Sequence, residues 1–277
     1  MKIVITGASS GIGEALAKHY AARGATLALI ARRKSELDRL AGVLPGLTSP
    51  KGAGRHAVAV PSEARDGAAP HTFVYPLDVT DAEALKAAAA DFIAKAGVPD
   101  LVIGNAGISV GTVTEEAGDL AAFERVLAVN VTGLFNTFQP FIAPMRTAGF
   151  GTLAGIASVA GIRGLPGAGA YCASKAAAIS YLESLRGELR GSGVKVVTVA
   201  PGYIETPMTA QNPYPMPFIL PVDEAARRIA RVIDYGSSYA VVPWQMAIVA
   251  KLLRLLPNPL FDAILSGRGR KPRSSAT

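Results

Sequence analysis

Short apolar runs alternate with longer amphipathic segments along a chain of 277 residues. The runs are KIVIT (2–6), TLALI (26–30), TFVYPL (72–77), LVIG (101–104), TLAGIA (152–157), VKVVTVA (194–200) and YAVV (239–242). They are rich in Val, Ile and Leu and suit strands covered on both faces. Helical patterning fills most of the gaps, over 12–23, 34–43, 81–96, 119–146, 171–190, 223–234 and 245–255. Strands alternating with helices predict βαβ units. The expected fold class is α/β, a doubly wound parallel sheet of about seven strands with helices on both faces and right-handed crossovers.

Residues 45–71 depart from this pattern. The stretch PGLTSPKGAGRHAVAVPSEARDGAAP joins the second helix to the third strand and is longer than most connections in a compact domain. It reads as a surface insertion loop, with a short strand at HAVAV or a functional lid as further readings. It draws no domain boundary, so residues 1–265 are expected to form a single domain. After the last strand, the segment from PWQ (243–245) to LPNPLFDAIL (256–265) reads as added helix.

Composition narrows the class. Half of the residues are hydrophobic and 6% are aromatic, in keeping with a well-covered sheet. Cys172 is the single cysteine, so neither an internal disulfide nor a multi-cysteine zinc site can form. That usage fits a reducing, cytoplasmic location. No metal site is expected, because His19, His56 and His71 lack ligand spacing. A strand begins at residue 2 without an apolar leader, so no signal peptide is expected. No uninterrupted apolar stretch reaches the roughly 18 residues of a membrane span.

The net charge of +7 resides partly in the tail, 266–277, which carries Arg268, Arg270, Lys271 and Arg273. The tail reads as basic, disordered and solvated. Joined to the apolar helix before it, the region 245–273 offers a second reading as a peripheral contact with an anionic membrane. No basic stripe interleaved with aromatics accompanies the charge, and no nucleic-acid partner is expected.

Candidate chemistry begins at TGASSGIG, residues 6–13. Gly7, Gly11 and Gly13, with Ile12 between the last two, follow a strand and open a helix, the context of a dinucleotide-binding loop. Glycines there let the backbone approach a pyrophosphate, and the helix N-terminus supplies N–H groups and a favourable dipole. Ser9 and Ser10 can add hydroxyl donors. The spacing is GxxxGxG, so alone it also suits a plain tight turn. The second strand ends LIARR, placing Arg32 and Arg33 near where an acidic residue would hold an NAD ribose. Guanidinium groups suit a 2′-phosphate, so NADP(H) is preferred over NAD(H).

Residues 171–175 read YCASK. On a helix Tyr171 and Lys175 share a face, one turn apart. A neighbouring ammonium favours the phenolate and would lower the Tyr171 pKa, making it a proton donor and acceptor. An isolated YxxxK is more often an ordinary surface pair. Cys172 lies on another helix face and reads as packing.

Taken in order, TGASSGIG, Asp78-Val79, Asn105-Ala106-Gly107, Asn130, Ser158, Tyr171-x-x-x-Lys175 and Pro201-Gly202 with Thr206 resemble the short-chain dehydrogenase/reductase family in its single-domain, Rossmann-like form. The resemblance implies an oxidoreductase moving a hydride between a nicotinamide and a carbonyl or secondary alcohol. Tyr171 would be the acid/base, Ser158 would polarise the carbonyl, and Lys175 would lower the Tyr171 pKa and bond the nicotinamide ribose. Asn130 would support a proton relay through a water. Asp78 and Val79 would meet adenine, and Asn105, Ala106 and Gly107 the adenosine side. Pro201, Gly202, Ile204 and Thr206 would border the nicotinamide. The segment 207–221, PMTAQNPYPMPFILP, would be a substrate lid, and its apolar character points to a lipophilic substrate. Ser109, Val110, Ile162 and Arg163 would flank the same cleft. A homodimer or homotetramer is implied, through the helices at 119–146 and 171–190. An alternative keeps the fold as an NADP-sensing or membrane-surface protein with little turnover.

Overall fold

A computed structural model gives the architecture and describes residues 1–44, 57–59 (backbone only), 71–267, 269 and 271–273. The parallel strands are β1 (Lys2–Thr6), β2 (Thr26–Ala31), β4 (His71–Pro76), β5 (Leu101–Gly104), β6 (Gly151–Ile156), β7 (Val194–Pro201) and β8 (Tyr239–Val242). A short strand β3 (Ala57–Ala59), from within the expected insertion, pairs antiparallel with β4 at the sheet edge. The order is β3-β4-β2-β1-β5-β6-β7-β8. The expected run of about seven parallel strands is therefore present, one strand having been added at its rim. The rest of the insertion, 45–56 and 60–70, lies outside the described residues.

Side chains alternate across each strand and both faces are buried, which explains the near-continuous apolar runs. Ile3, Ile5, Leu27 and Leu29 point to one face, packed by α1 (Gly11–Ala21), α2 (Lys34–Val43) and α7 (Val222–Tyr235). Val4, Ala28, Ile30 and Val102 point to the other, packed by α3 (Ala82–Ala96), α5 (Gly133–Ala148) and α6 (Gly169–Glu188). Asp81 caps α3, its carboxylate accepting from the Ala84 N–H at 2.9 Å.

The helix expected over 119–146 is a run of segments: a 3-10 turn (Ala117–Asp119), α4 (Leu120–Leu127), a π-turn (Ala128–Thr132) and α5. By length and hydropathy this run also suits a membrane crossing, which a search for uninterrupted apolar residues passes over. Here Val126, Leu134, Phe138, Phe141 and Met145 are buried within the fold. The added C-terminal segment forms α8 (Trp244–Leu255) and α9 (Asn258–Leu265), docked through Met246, Ala250, Phe261 and Leu265.

The chain builds β1, β2 and β4 outward in one direction, then returns to place β5 on the other side of β1. The crevice at the carboxyl ends of β1 and β5 is where such sheets bind ligands. Phe138 and Leu134 pack where a side chain on Gly104 of β5 would lie. Phe138→Ala should lower the unfolding free energy by about 3–5 kcal/mol, read from the shift of the urea midpoint.

Candidate active site

β1 ends at Thr6 and the chain turns at Gly7, whose φ of 68° lies in the left-handed region that favours glycine. Gly13, in the first turn of α1, sits so close that an added Cβ would lie 2.3 Å from the Gly7 carbonyl oxygen. Asn105, just past β5, ties the turn down. Its Nδ2 donates to the carbonyls of Thr6 at 3.0 Å and Gly7 at 3.2 Å. The Thr6 hydroxyl accepts from the N–H groups of Asn105 and Ala106, at 3.1 and 3.3 Å. Asn105 thus acts first by shaping the loop, a role that its place in the NAG motif did not disclose. Ser10 is the N-cap of α1 and makes no side-chain capping bond, so the first turn presents its N–H groups to the cleft.

At the end of β2, Arg33 donates to the hydroxyls of Ser9 and Ser10, each at 3.1 Å. Arg32 lies 3.7 Å from Asp78, and both side chains are partly exposed at the cleft rim. The other Asp78 oxygen accepts from the Thr80 N–H and hydroxyl at 3.0 and 2.9 Å. Val79 is buried beneath them.

The far end of the cleft holds Ser158, Tyr171 and Lys175. Ser158 follows β6, and its Oγ accepts from the Ala160 N–H at 3.1 Å. Lys175 is buried on α6 and donates to the Ile156 carbonyl at 2.8 Å. Burial pushes its pKa down to about 8. Tyr171 is pushed up from its ordinary value by burial, against a downward pull from its hydrogen bond with Ser158. The expected lowering of the Tyr171 pKa by Lys175 is not found. The ammonium lies 5.8 Å from the ring centroid and is directed at a backbone carbonyl instead. Cys172 is buried and packs in the core.

Asn130 sits in the π-turn, a distortion frequent at functional sites. Its carbonyl accepts from the Ile108 N–H at 2.8 Å, and its amide donates to the Ile108 carbonyl and the Ser174 hydroxyl at 2.9 Å each. The amide is thereby engaged in holding the loop after β5, a positioning part that the sequence did not disclose.

One cleft is lined by Gly7, Ser9, Ser10, Gly11, Ile12, Arg32, Arg33, Asp78, Val79, Asn105, Ala106 and Gly107. Ser158, Tyr171, Lys175, Pro201, Gly202, Ile204 and Thr206 complete its wall. Gly13 and Asn130 stand behind it. The sequence reading missed Leu77, Ile108, Val129, Ile156 and Ala157, apolar lining residues with no motif to mark them. The segment 207–221 is clasped at its base, where Glu205 N–H donates to Leu220 O at 2.9 Å and Leu220 N–H to Tyr203 O at 3.0 Å. Pro207, Met208 and Thr209 reach the cleft.

Two expectations are corrected. Arg163 does not flank the cleft. Its guanidinium donates to the carbonyls of Leu253 and Leu256 and to Asn258, and stacks 3.7 Å over Phe261. It ties α8 and α9 to the domain. The tail is not free throughout either: Lys271, Pro272 and Arg273 are docked beside the cleft, because Asp119 and Glu116 pair with Arg273 and the Gly111 N–H meets the Pro272 carbonyl. Arg268, Arg270 and 274–277 lie outside the described residues.

Comparison with known proteins agrees with this geometry. The family model for short chain dehydrogenases matches residues 1–53 and 51–215. An uncharacterized oxidoreductase of Myxococcus xanthus is 36% identical over 263 residues, 94% of each chain. A 3-oxoacyl-(acyl-carrier-protein) reductase of Thermotoga maritima is 34% identical over 213 residues, 76% of each chain. Among solved structures, an alcohol dehydrogenase of Thermococcus sibiricus, complexed with 5-hydroxy-NADP, has a TM-score of 0.71. It is 26% identical and covers 87% of this chain and 95% of that one. A doubly wound sheet with a glycine turn at one end of the cleft and a Ser–Tyr–Lys set at the other defines a nucleotide-dependent oxidoreductase. The chain belongs to the short-chain dehydrogenase/reductase family and is an NAD(P)-dependent dehydrogenase/reductase.

The residues fit that cofactor. The tight Gly7–Gly13 packing sets the start of α1 against the turn. Gly7, Gly11 and Ile12 line the cleft there without side chains at either glycine, at a helix N-terminus suited to a pyrophosphate.

The buried ammonium yields a stability test. The Lys175 pKa is lower when folded, about 8 against 10.5, so the unfolded chain binds more protons between those values. Stability of the wild type therefore rises with pH across that window. Lys175→Met removes the penalty but leaves the Ile156 carbonyl unpaired. The variant should be more stable by about 1–2 kcal/mol at pH 7, an advantage that shrinks from pH 8 upward, as urea unfolding in the absence of nucleotide will show.

Proposed function

We propose that the protein is an NADP(H)-dependent oxidoreductase acting between a lipophilic carbonyl compound and its secondary alcohol. The observation that carries the reading is the convergence of Ser158, Tyr171 and Lys175 in the cleft that also contains the glycine turn. Bound there, the nicotinamide supplies or accepts the hydride. Gly11 and Ile12, with the serine hydroxyls, would hold the pyrophosphate, and Lys175 the nicotinamide ribose. Ser158 and Tyr171 donate hydrogen bonds to the carbonyl oxygen as it gains negative charge, and Tyr171 releases its proton to that oxygen. The raised pKa of Tyr171 keeps the phenol protonated for this step. The Lys175 ammonium lies 5.8 Å from the centroid of the ring that then carries the negative charge.

Preference for NADP(H) is supported by Arg32 and Arg33 at the rim and by Ala31 where β2 ends, with no carboxylate at that position to repel a 2′-phosphate. The relative named as a 3-oxoacyl reductase supports carbonyl reduction. Pro207 and Met208 give the substrate end an apolar border. Family members commonly assemble as oligomers. Leu120, Phe123 and Phe135 are exposed along the 117–148 run and favour a dimer or tetramer through that face. Trp244, Ile248, Leu252 and Leu255 expose a second apolar stripe on α8, beside Lys251 and Arg254, which suits the peripheral membrane contact. The single cysteine supports a cytoplasmic location.

A panel of ketones and secondary alcohols, followed by NADPH absorbance, tests the reading. Tyr171→Phe should lower turnover by about 10²–10⁴-fold while nucleotide binding persists; turnover that survives the change removes Tyr171 from the chemistry. Arg32→Ala and Arg33→Ala together should weaken NADPH about ten- to a hundredfold and leave NADH much less affected. Equal losses for both nucleotides would reject the NADP(H) preference.

A further inference from the structure

The docked tail brings a second lysine to the catalytic tyrosine. Lys271 Nζ lies 5.8 Å from the centroid of the Tyr171 ring and donates to the Ser109 hydroxyl at 2.8 Å. Its position is fixed by the two residues that follow it. The Pro272 carbonyl accepts from the Gly111 N–H at 2.9 Å, in a parallel bridge between Gly111 and Arg273. Arg273 grips Asp119 through two nitrogens at 3.0–3.2 Å and reaches Glu116 at 3.2 Å. Asp119 is buried, and its other strong bond comes from the Val113 N–H at 2.8 Å. Gly111 is shaped to the tail: a Cβ there would lie 2.2 Å from the Lys271 carbonyl oxygen. Gly269 runs past Pro213 and Tyr214, so the tail and the 207–221 segment meet on the same side.

Arg273 has its carboxylates. Lys271 has none among the described residues, only a neutral hydroxyl. Burial disfavours its charged form, and a desolvated cation is costly unless it meets an anion. An ammonium with no carboxylate partner among the described residues, beside the phenol that meets the substrate, is a recognition element for an acidic group.

We infer that Lys271, held by the docked tail and Ser109, anchors an anionic group, carboxylate or phosphoryl, carried by the same small molecule that presents its carbonyl to Tyr171. The inference rests on the carbonyl-reductase reading and makes the substrate an amphipathic acid. The apolar border at Pro207 and Met208 takes the chain, and Lys271 takes the acid.

The test is equilibrium binding, by calorimetry, of hexanoate, hexyl phosphate and hexan-1-ol to the full-length protein saturated with NADP⁺. At least one anion should bind more tightly than the alcohol, and which one does so distinguishes carboxylate from phosphoryl. Lys271→Met should weaken that anion about ten- to a hundredfold relative to its effect on hexan-1-ol. Arg273→Gln, which frees the tail, should do the same, and Lys271→Arg should restore part of the preference. If neither anion outbinds the alcohol, or if Lys271→Met binds it as the wild type does, the inference is overturned. It is also overturned if Lys271→Met speeds the turnover of acidic and neutral ketones alike, which would make the tail an obstruction. Anion binding that depends on Lys271, in a protein that reduces no carbonyl compound, would retain the site and reject the carbonyl-reductase reading instead.

Discussion

The side-chain amide of Asn105 crosses from the end of β5 to the carbonyls of Thr6 and Gly7 at the end of β1. These strands part at their carboxyl ends, where the chain reverses its direction of winding. The bridge gives both carbonyls, one in β1 and one in the turn, a side-chain donor. With it, the turn is held in the conformation that lets α1 start against the strand. Gly13 completes the fit, because any side chain there would enter the Gly7 carbonyl. The anion-binding character of the helix terminus follows from that contact, since the same N–H groups would point elsewhere if the helix were displaced.

A second set of bonds governs the other end of the cleft. Asn130 uses its whole amide on the Ile108 backbone and on Ser174, one residue before Lys175. The loop after β5 and the helix bearing Tyr171 and Lys175 are therefore registered through one side chain. Gly107, beside that loop, leaves Asn130 and Lys175 close together, each within 3.3–3.5 Å of where its Cβ would lie. The phenol and ammonium gain their unusual proton affinities from enclosure, and the enclosure depends on these neighbouring contacts.

Much of the fold was legible because its strands are covered on both faces. Their runs stand out as apolar, and seven strand segments and their helices fell within a residue or two of the observed limits. The glycine turn, the arginines after β2 and the Ser–Tyr–Lys set were legible because each is a short local pattern. What was not legible depends on distant partners. Arg163 could be placed near the cleft by position, but its guanidinium follows the open carbonyls at the end of α8. The direction of the Tyr171 shift depends on burial, which a spacing of four residues does not report. The docking of Lys271–Arg273 depends on Asp119 and Gly111, far upstream, and a run of basic residues ending a chain carries no sign of such acceptors.

Gly111 carries a wider implication. Its missing side chain is the space through which Lys271 and Pro272 pass, so this loop and the docked segment are free to vary only together. A bulkier residue here would exclude the tail whatever charges it bore. A one-residue change in a loop would thus reshape the surroundings of Tyr171 without replacing Ser158, Tyr171 or Lys175, so the shape of the cleft mouth and the makeup of its interior are set by separate parts of the chain.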